Sequence, residues 1–309
     1  MLRAATLILV VSAFALGSSI ASASLLIEDG FAAGGTTPGT GEYQSDPAST
    51  NGTNNDSIAD QSPDLTGWNS TDNWSGGGGF RSDLYGQIAD TGLTYTDASN
   101  QVLDSTAGHL RFNRGITHSV ARSTQRSTAS GLKGNLPNSG VYISVLLQID
   151  VIGTAGFLAF EQGGSLTRYL GIEVTSAGNL EVGSYNLGGN PAKNIGAVNP
   201  GEVNLVVARF YENNQLDVWL NPTDLNDSSN PDFSGGDSPG YVGGNPSYGL
   251  DTVTFNFGSG GAGETIEFDE LRVATTFQEA VPFTLIPEPA SAVLIGLGGV
   301  LMLSRRRRV

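Results

Sequence analysis

Glu267-Phe268-Asp269-Glu270 is the stretch whose residue types and spacing best suit acid–base chemistry. Side chains alternate between the faces of a regular strand, so Glu267 and Asp269 share one face and Glu270 points to the other. Two carboxyls on one face, about 5 to 5.5 Å apart, are what a retaining glycosidase needs: one protonates the leaving oxygen and the other attacks the sugar. The competing reading is structural, with Asp269 and Arg272 supporting the final turn and the strand edge.

Three further sets carry possible chemistry. Trp68 and Trp74, close to the glycines Gly76 to Gly79, and Trp219 offer aromatic faces that either stack on a sugar or anchor a core. Asp224, Asn226, Asp227, Asp232 and Asp237 crowd one loop, where Asp224, Asp227 and Asp232 are candidate calcium ligands; the EF-hand spacing is absent, and a solvated acidic loop is the alternative. His109 and His118 lack a matching cluster of further ligands, so no zinc site is expected. Gly258-Ser259-Gly260-Gly261-Ala262-Gly263 fits the dinucleotide pattern formally, but it leads into a strand and not a helix, which makes it a hairpin loop. Neither a G-x-S-x-G elbow nor a P-loop lysine motif is present. The chain has no cysteine, which removes disulfides, thiolate metal sites and a cysteine nucleophile together. No catalytic residue and no cofactor beyond calcium is expected.

The elements that position these residues read as strands. From Val141 to Val151 the odd positions are all apolar, which predicts a long strand with one face in a core. Strands follow at Gly156 to Glu161, Arg168 to Val174 and Asn179 to Ser184, and a hairpin joins Val203–Tyr211 to Gln215–Leu220. Asp251 to Phe257 alternates, and Glu264 to Thr276 closes the domain. In that last strand Ile266 and Phe268 have one parity and Leu271 and Val273 the other, so a bulge is expected near Asp269-Glu270. Leu25 to Phe31 supplies a first strand able to pair with the last. Gly92–Tyr95 and His109–Phe112 are weaker strand candidates, and residues 32–64 and 221–250 are polar loop insertions. No amphipathic helix is visible between the two ends. The expected fold is all-β, an antiparallel two-sheet jelly-roll sandwich over residues 24–276.

Composition agrees with many strands and turns, since 43 of the 309 residues are glycine. The net charge is −15, and Arg3 and Arg305 to Arg308 lie outside the body, which is therefore more negative still. Such a surface repels nucleic acid and anionic lipid and favours divalent cations.

Both ends read as addresses. Residues 1–23 have Arg3, an apolar core and the small-residue exit Ala21-Ser22-Ala23, the pattern of a signal peptide for Sec export with cleavage expected after Ala23. At the other end, beyond a spacer at 277–286, Pro287-Glu288-Pro289 precedes an apolar run from Ala290 to Leu303 and then Arg305, Arg306, Arg307 and Arg308. As a helix that run spans roughly 21 Å, short of a hydrocarbon core of about 30 Å, so interfacial residues and snorkelling arginines must make up the difference. The arginines place the C-terminus on the cytoplasmic side. Residues 287–309 resemble the PEP-CTERM sorting domain of Gram-negative bacteria. That resemblance implies a short transmembrane anchor, recognition by a membrane-embedded exosortase-type enzyme, and processing near the motif; an inner-membrane precursor would then reach the cell surface or the extracellular matrix.

The body resembles a second family. Val203 to Pro222, ending Val218-Trp219-Leu220-Asn221-Pro222, and Phe268-Asp269-Glu270-Leu271-Arg272-Val273 are similar to the concanavalin A-like, laminin-G-like jelly roll. The resemblance implies loop calcium in some members and, in laminarinase-like hydrolases, acid and nucleophile at the ends of a Glu-x-Asp-x-Glu pattern. Here position 271 is Leu and position 272 Arg, so the pattern is broken. The leading expectation is an exported, non-enzymatic surface or matrix protein. The alternative is a lectin-like module for extracellular polysaccharide, using Trp68, Trp74 or Trp219; a glycoside hydrolase comes third.

Overall fold

The computed structural model describes residues 25–34, 40–43, 61, 63–72, 74, 86–113, 122–128, 140–161, 168–186, 193–211, 215–236, 250–259 and 264–285. The signal peptide at 1–23, the segment 287–309 and the hairpin turn at 212–214 lie outside these residues, as do much of 32–64 and all of 237–249. Among the described residues no helix is long and apolar enough to cross a membrane.

Two antiparallel sheets form the body. The larger contains β1 (Leu25–Asp29), β2 (Gln87–Ala89), β4 (His109–Asn113), β6 (Val141–Ile149), β11 (Asn204–Phe210), β12 (Gln215–Leu220), β13 (Phe233–Gly236) and β15 (Thr265–Ala274). Its order is β13-β12-β11-β6-β15-β4-β2, with β1 also on β15. The smaller runs β10-β9-β8-β7-β14-β5, from β5 (Arg122–Ser127), β7 (Ala155–Glu161), β8 (Arg168–Val174), β9 (Asn179–Asn186), β10 (Lys193–Ala197) and β14 (Thr252–Ser259). A third, two-stranded sheet pairs β3 (Gln101–Leu103) with β16 (Phe283–Leu285).

Alternation explains how the two large sheets bury one core. Ile143, Val145, Leu147, Phe268 and Val273 of the larger sheet meet Leu158, Phe160, Ile172, Val182 and Phe255 of the smaller, and all are buried in a single cluster. Burying a side chain of this size stabilises by roughly 1.5–3 kcal/mol, and these strands supply one at every second position.

The larger sheet is apolar on its outer face as well. Tyr142 and Leu146 of β6, Leu205 and Val207 of β11 and Trp219 of β12 form a second core with Leu93, Tyr95, Leu103, Leu225, Phe277 and Val281. β6 is thus covered on both faces, where its odd-position pattern predicts one. The expected spacer at 277–286 is corrected in the same place. Phe277–Ala280 forms the short helix α1, capped by Thr276, whose hydroxyl accepts from the Glu279 N–H; β16 follows it, and Phe277, Ala280 and Val281 are buried on the sheet. The 221–250 segment is not all loop either, since it contributes β13 and the buried Leu225.

β15 changes neighbours part-way along its length. Residues 265–268 pair with β4, residues 271–274 pair with β1, and the register against β6 shifts between Asp269 and Arg272. The expected bulge is there, with Glu270 in the left-handed region at φ 48°.

Candidate functional site

The bulge opens a seam between β4 and β1, and Asp269 and Glu270 fill it. Asp269 is fully buried; its Oδ2 accepts the Leu93 N–H at 2.7 Å and its Oδ1 the Glu270 N–H at 2.8 Å. Burial, with the charge of Glu270 beside it, pushes the Asp269 carboxyl up to about 9. Glu270 accepts the Thr106 N–H through Oε1, and its Oε2 lies 3.1 Å from Arg272, which also reaches Glu28 at 2.9 Å. Across the seam Asp29 accepts from the Phe31 N–H at 3.0 Å and from the Tyr43 hydroxyl at 2.5 Å, and burial raises its carboxyl to about 7.

Glu267 does share the outer face with Asp269, and its surroundings hold it in an ion pair. His109 Nε2 lies 3.4 Å away and Arg111 Nε 3.3 Å, while His109 Nδ1 donates to the Thr91 carbonyl. Burial works against the ionised form, but these two partners hold Glu267 below the usual carboxylate range. Both oxygens of Asp269 are taken by main-chain donors beneath the segment that carries Leu93. The acids of Glu267-Phe268-Asp269-Glu270 therefore bind the closing strand to its neighbours, which is the structural reading of that stretch.

The sugar-stacking reading of the tryptophans is corrected by their burial. Trp68, Trp74 and Trp219 are 5%, 0% and 2% exposed. Trp74 donates to the Tyr43 hydroxyl at 2.8 Å and Trp68 to the Glu28 carbonyl at 3.0 Å, while Trp219 packs against Tyr142 and Phe277. Arg126 stacks over Trp68 with its Cζ 5.1 Å from the ring centroid, and it donates to the carbonyls of Pro63, Asn69 and Asp72. All of this fixes the 61–74 segment against the body.

The candidate calcium aspartates are not brought together. Asp224 accepts the Asn226 N–H, Asp227 the Ser229 N–H and Asp232 the Leu220 N–H, each at 2.8 Å. Asp237 lies outside the described residues, and among the described residues no three acid or histidine groups are close enough to hold a metal. Asp97, which sequence reasoning passed over, fixes this region: its Oδ1 accepts from Ser99 and Gln101, and its Oδ2 from Leu225, all at 2.8 Å.

The outer face of the six-stranded sheet differs in kind from that of the larger sheet. Core residues of β7, β8, β9 and β14 alternate with a second set that register aligns across the strands. One row is Gly183, Gly171, Ala159 and Thr254; the next is Glu181, Glu173, Phe157 and Asn256. Glu161 ends β7 opposite Thr252 and takes the Thr254 hydroxyl on Oε1 at 2.7 Å. It is 1% exposed, its Oε2 has no hydrogen-bond partner, and burial raises its pKa against the lowering effect of Thr254. Such a carboxyl can accept a hydroxyl proton or, when neutral, donate one. Sequence reasoning missed Glu161; its only signal was an acid closing an otherwise apolar strand.

No protein-family model matches the chain, and no curated protein does. Solved structures do resemble it. One is a sialidase, at TM-score 0.37 and 11% identity, covering 60% of this chain and 17% of that one. Another is a glycosyl hydrolase family protein from Mycobacterium fortuitum, at TM-score 0.39 and 14% identity, covering 61% of this chain and 90% of that one. A carbohydrate-binding module from Bacillus subtilis has TM-score 0.35 and 11% identity, covering 64% of this chain and 92% of that one. None of them assigns a role to a residue here. With sialidases and a glycosyl hydrolase family protein among the neighbours, the expectation that the body is not an enzyme is withdrawn.

Proposed function

We propose that this chain is an exported protein of the bacterial cell surface or extracellular matrix, whose body is a concanavalin A-like jelly roll that engages extracellular polysaccharide. The observation that carries the reading is the contrast between the two outer faces. The larger sheet is sealed by a second aromatic core, whereas the smaller has a partly exposed row of carboxyl, aromatic and amide side chains, Glu181, Glu173, Phe157 and Asn256, across its strands. Sugar recognition by hydrogen bonding asks for a face of that second kind. Delivery to the surface rests on the sequence alone: the signal peptide at 1–23, the Pro287-Glu288-Pro289 tail and the four terminal arginines.

A glycan array probed with the full chain, with and without added calcium, tests the binding half; no retained polysaccharide under either condition overturns it. Mass spectrometry of the protein on its native cell tests the sorting half. Processing predicts loss of Arg305 to Arg308 from surface-exposed copies, and finding them intact in every copy contradicts it.

A further inference from the structure

β16 carries the fold to Leu285, and Pro287 follows almost at once. Phe277, Ala280 and Val281 are buried in the second core, and the Ser144 hydroxyl donates to the Ala280 carbonyl. β16 then pairs with β3 as far as Leu285, which lies opposite Gln101. The Asp104 N–H donates to the Pro282 carbonyl at 2.9 Å and the Thr284 hydroxyl to Asp104 Oδ1 at 2.5 Å. Residues 277–285 therefore belong to the body, and only Ile286-Pro287-Glu288-Pro289 separates it from the apolar run that starts at Ala290.

That link is short against the size of what it holds. Fully extended, the chain from Leu285 to Ala290 reaches at most roughly 17 Å. Two residues of the link are prolines, whose rings fix φ and stiffen it. A single domain of this length has a radius of gyration of about 18 Å, so the body is wider than its tether is long. With the apolar run in a bilayer, the side from which the tether leaves must lie nearest the lipid. From that side the layers follow in order: the β3–β16 sheet with the second core, the larger sheet, and the smaller sheet. The surface at the exit has matching chemistry. Leu285 is 61% exposed, the most exposed large apolar side chain among the described residues. Beside it, in the turn at 97–100, Ala98, Ser99 and Asn100 are exposed and uncharged, while Asp97 is buried with its carboxylate on the N–H groups of Ser99, Gln101 and Leu225. An exposed leucine on an uncharged rim suits a lipid interface better than water.

We propose that, in the anchored precursor, the body rests on the bilayer by the end of the β3–β16 sheet and the turn at 97–100, with Leu285 at the lipid interface and the smaller sheet facing away. The proposal rests on the membrane-tail reading above and adds which side of the body meets the lipid. The row of Glu181, Glu173, Phe157 and Asn256 is thereby held clear of the membrane, on the side from which a polysaccharide approaches.

The chain has no cysteine, so one introduced cysteine carries the only label. The full chain with Ala98→Cys, Leu285→Cys or Ala177→Cys is coupled to a fluorophore and reconstituted in phosphatidylcholine nanodiscs that contain headgroup-spin-labelled lipid. Ala177 is exposed in the turn between β8 and β9 of the smaller sheet, which packed layers about 10 Å apart set roughly 20 Å further from the lipid. Quenching should be several-fold stronger at positions 98 and 285 than at 177. A long Gly-Ser linker inserted between Leu285 and Ile286 should erase that difference, because it frees the body to turn. If the nanodiscs capture the chain and positions 98 and 177 are quenched equally, or 177 more strongly, the tail reading stands and the orientation is wrong. A difference that survives the linker overturns the tether argument. A chain that no nanodisc captures overturns the tail reading and the orientation together.

Discussion

Asp269 Oδ2 accepts the main-chain N–H of Leu93 at 2.7 Å, and this bond, together with that from the Thr106 N–H to Glu270, joins the closing strand to the segment that covers the outer face of the larger sheet. An acid in such a place makes stability depend on pH. The Asp269 carboxyl is raised to about 9 and that of Asp29, across the seam, to about 7, in both cases chiefly by burial. A carboxyl raised on folding binds more protons in the native state than in the unfolded one. Its contribution is therefore complete below about pH 4 and is lost as pH climbs through the folded value.

Thermal unfolding of the natural chain and of Asp269→Asn, at constant ionic strength from pH 5 to 9, checks this. The asparagine cannot accept from both Leu93 and Glu270, so at pH 5 it should be less stable by about 1–3 kcal/mol. The gap should narrow as pH rises, because only the natural chain must ionise a buried acid. A gap that widens toward pH 9 would contradict the assignment.

Arg272 answers for two acids, Glu28 and the wholly buried Glu270. Arg272→Met should cost about 3–5 kcal/mol in urea unfolding, since it leaves Glu270 charged and without its cation. Adding Glu270→Gln to that variant should recover part of the loss. A purely additive second loss would mean the pair is not coupled.

All three tryptophans are packing groups, at 5%, 0% and 2% exposed. Native fluorescence should be nearly insensitive to iodide, becoming fully quenchable in urea. Saturating polysaccharide should leave the emission maximum unshifted. Strong quenching in the folded protein would place at least one indole at the surface.

Gly67 separates a steric requirement from a conformational one. Its φ is 82°, and a Cβ there would stand 1.8 Å from the Leu26 carbonyl oxygen of β1. Gly153, at φ 117°, has nothing within 4 Å of the same position. Gly153→Ala should cost about 1 kcal/mol of backbone strain, whereas Gly67→Ala should cost more than about 3 kcal/mol or abolish folding. Melting temperatures of the two variants give the comparison.

Much of the sandwich is legible wherever one short-range rule decides. The parity switch between Phe268 and Leu271 announces the register shift against β6, and the odd positions of Val141 to Ile149 announce the core face. The second core is not announced in that way. Leu93, Tyr95, Leu225, Phe277 and Val281 are scattered among turn formers, and no local period ties them to Tyr142 or Trp219. Apolar residues at the even positions 142 and 146 were the available hint that β6 is covered twice. The site is less legible than the fold for a related reason. Asp269 and Glu161 gain their character from burial under distant segments, and an acid in a strand looks the same on paper whether it meets water or a covered seam. The tryptophans show the converse, since an aromatic beside glycines reads alike as platform or anchor until its indole donors are seen bonded to Tyr43 and Glu28.

The pairing of β1 with β15 also fixes an order of events. A polypeptide leaving a ribosome or a translocation pore amino end first releases β1 early, yet the partner of β1 is among the last pieces to emerge. Neither the seam nor the sandwich edge beside it can close until then, and contacts so distant along the chain form slowly. The seam thus locks only once the final long strand arrives.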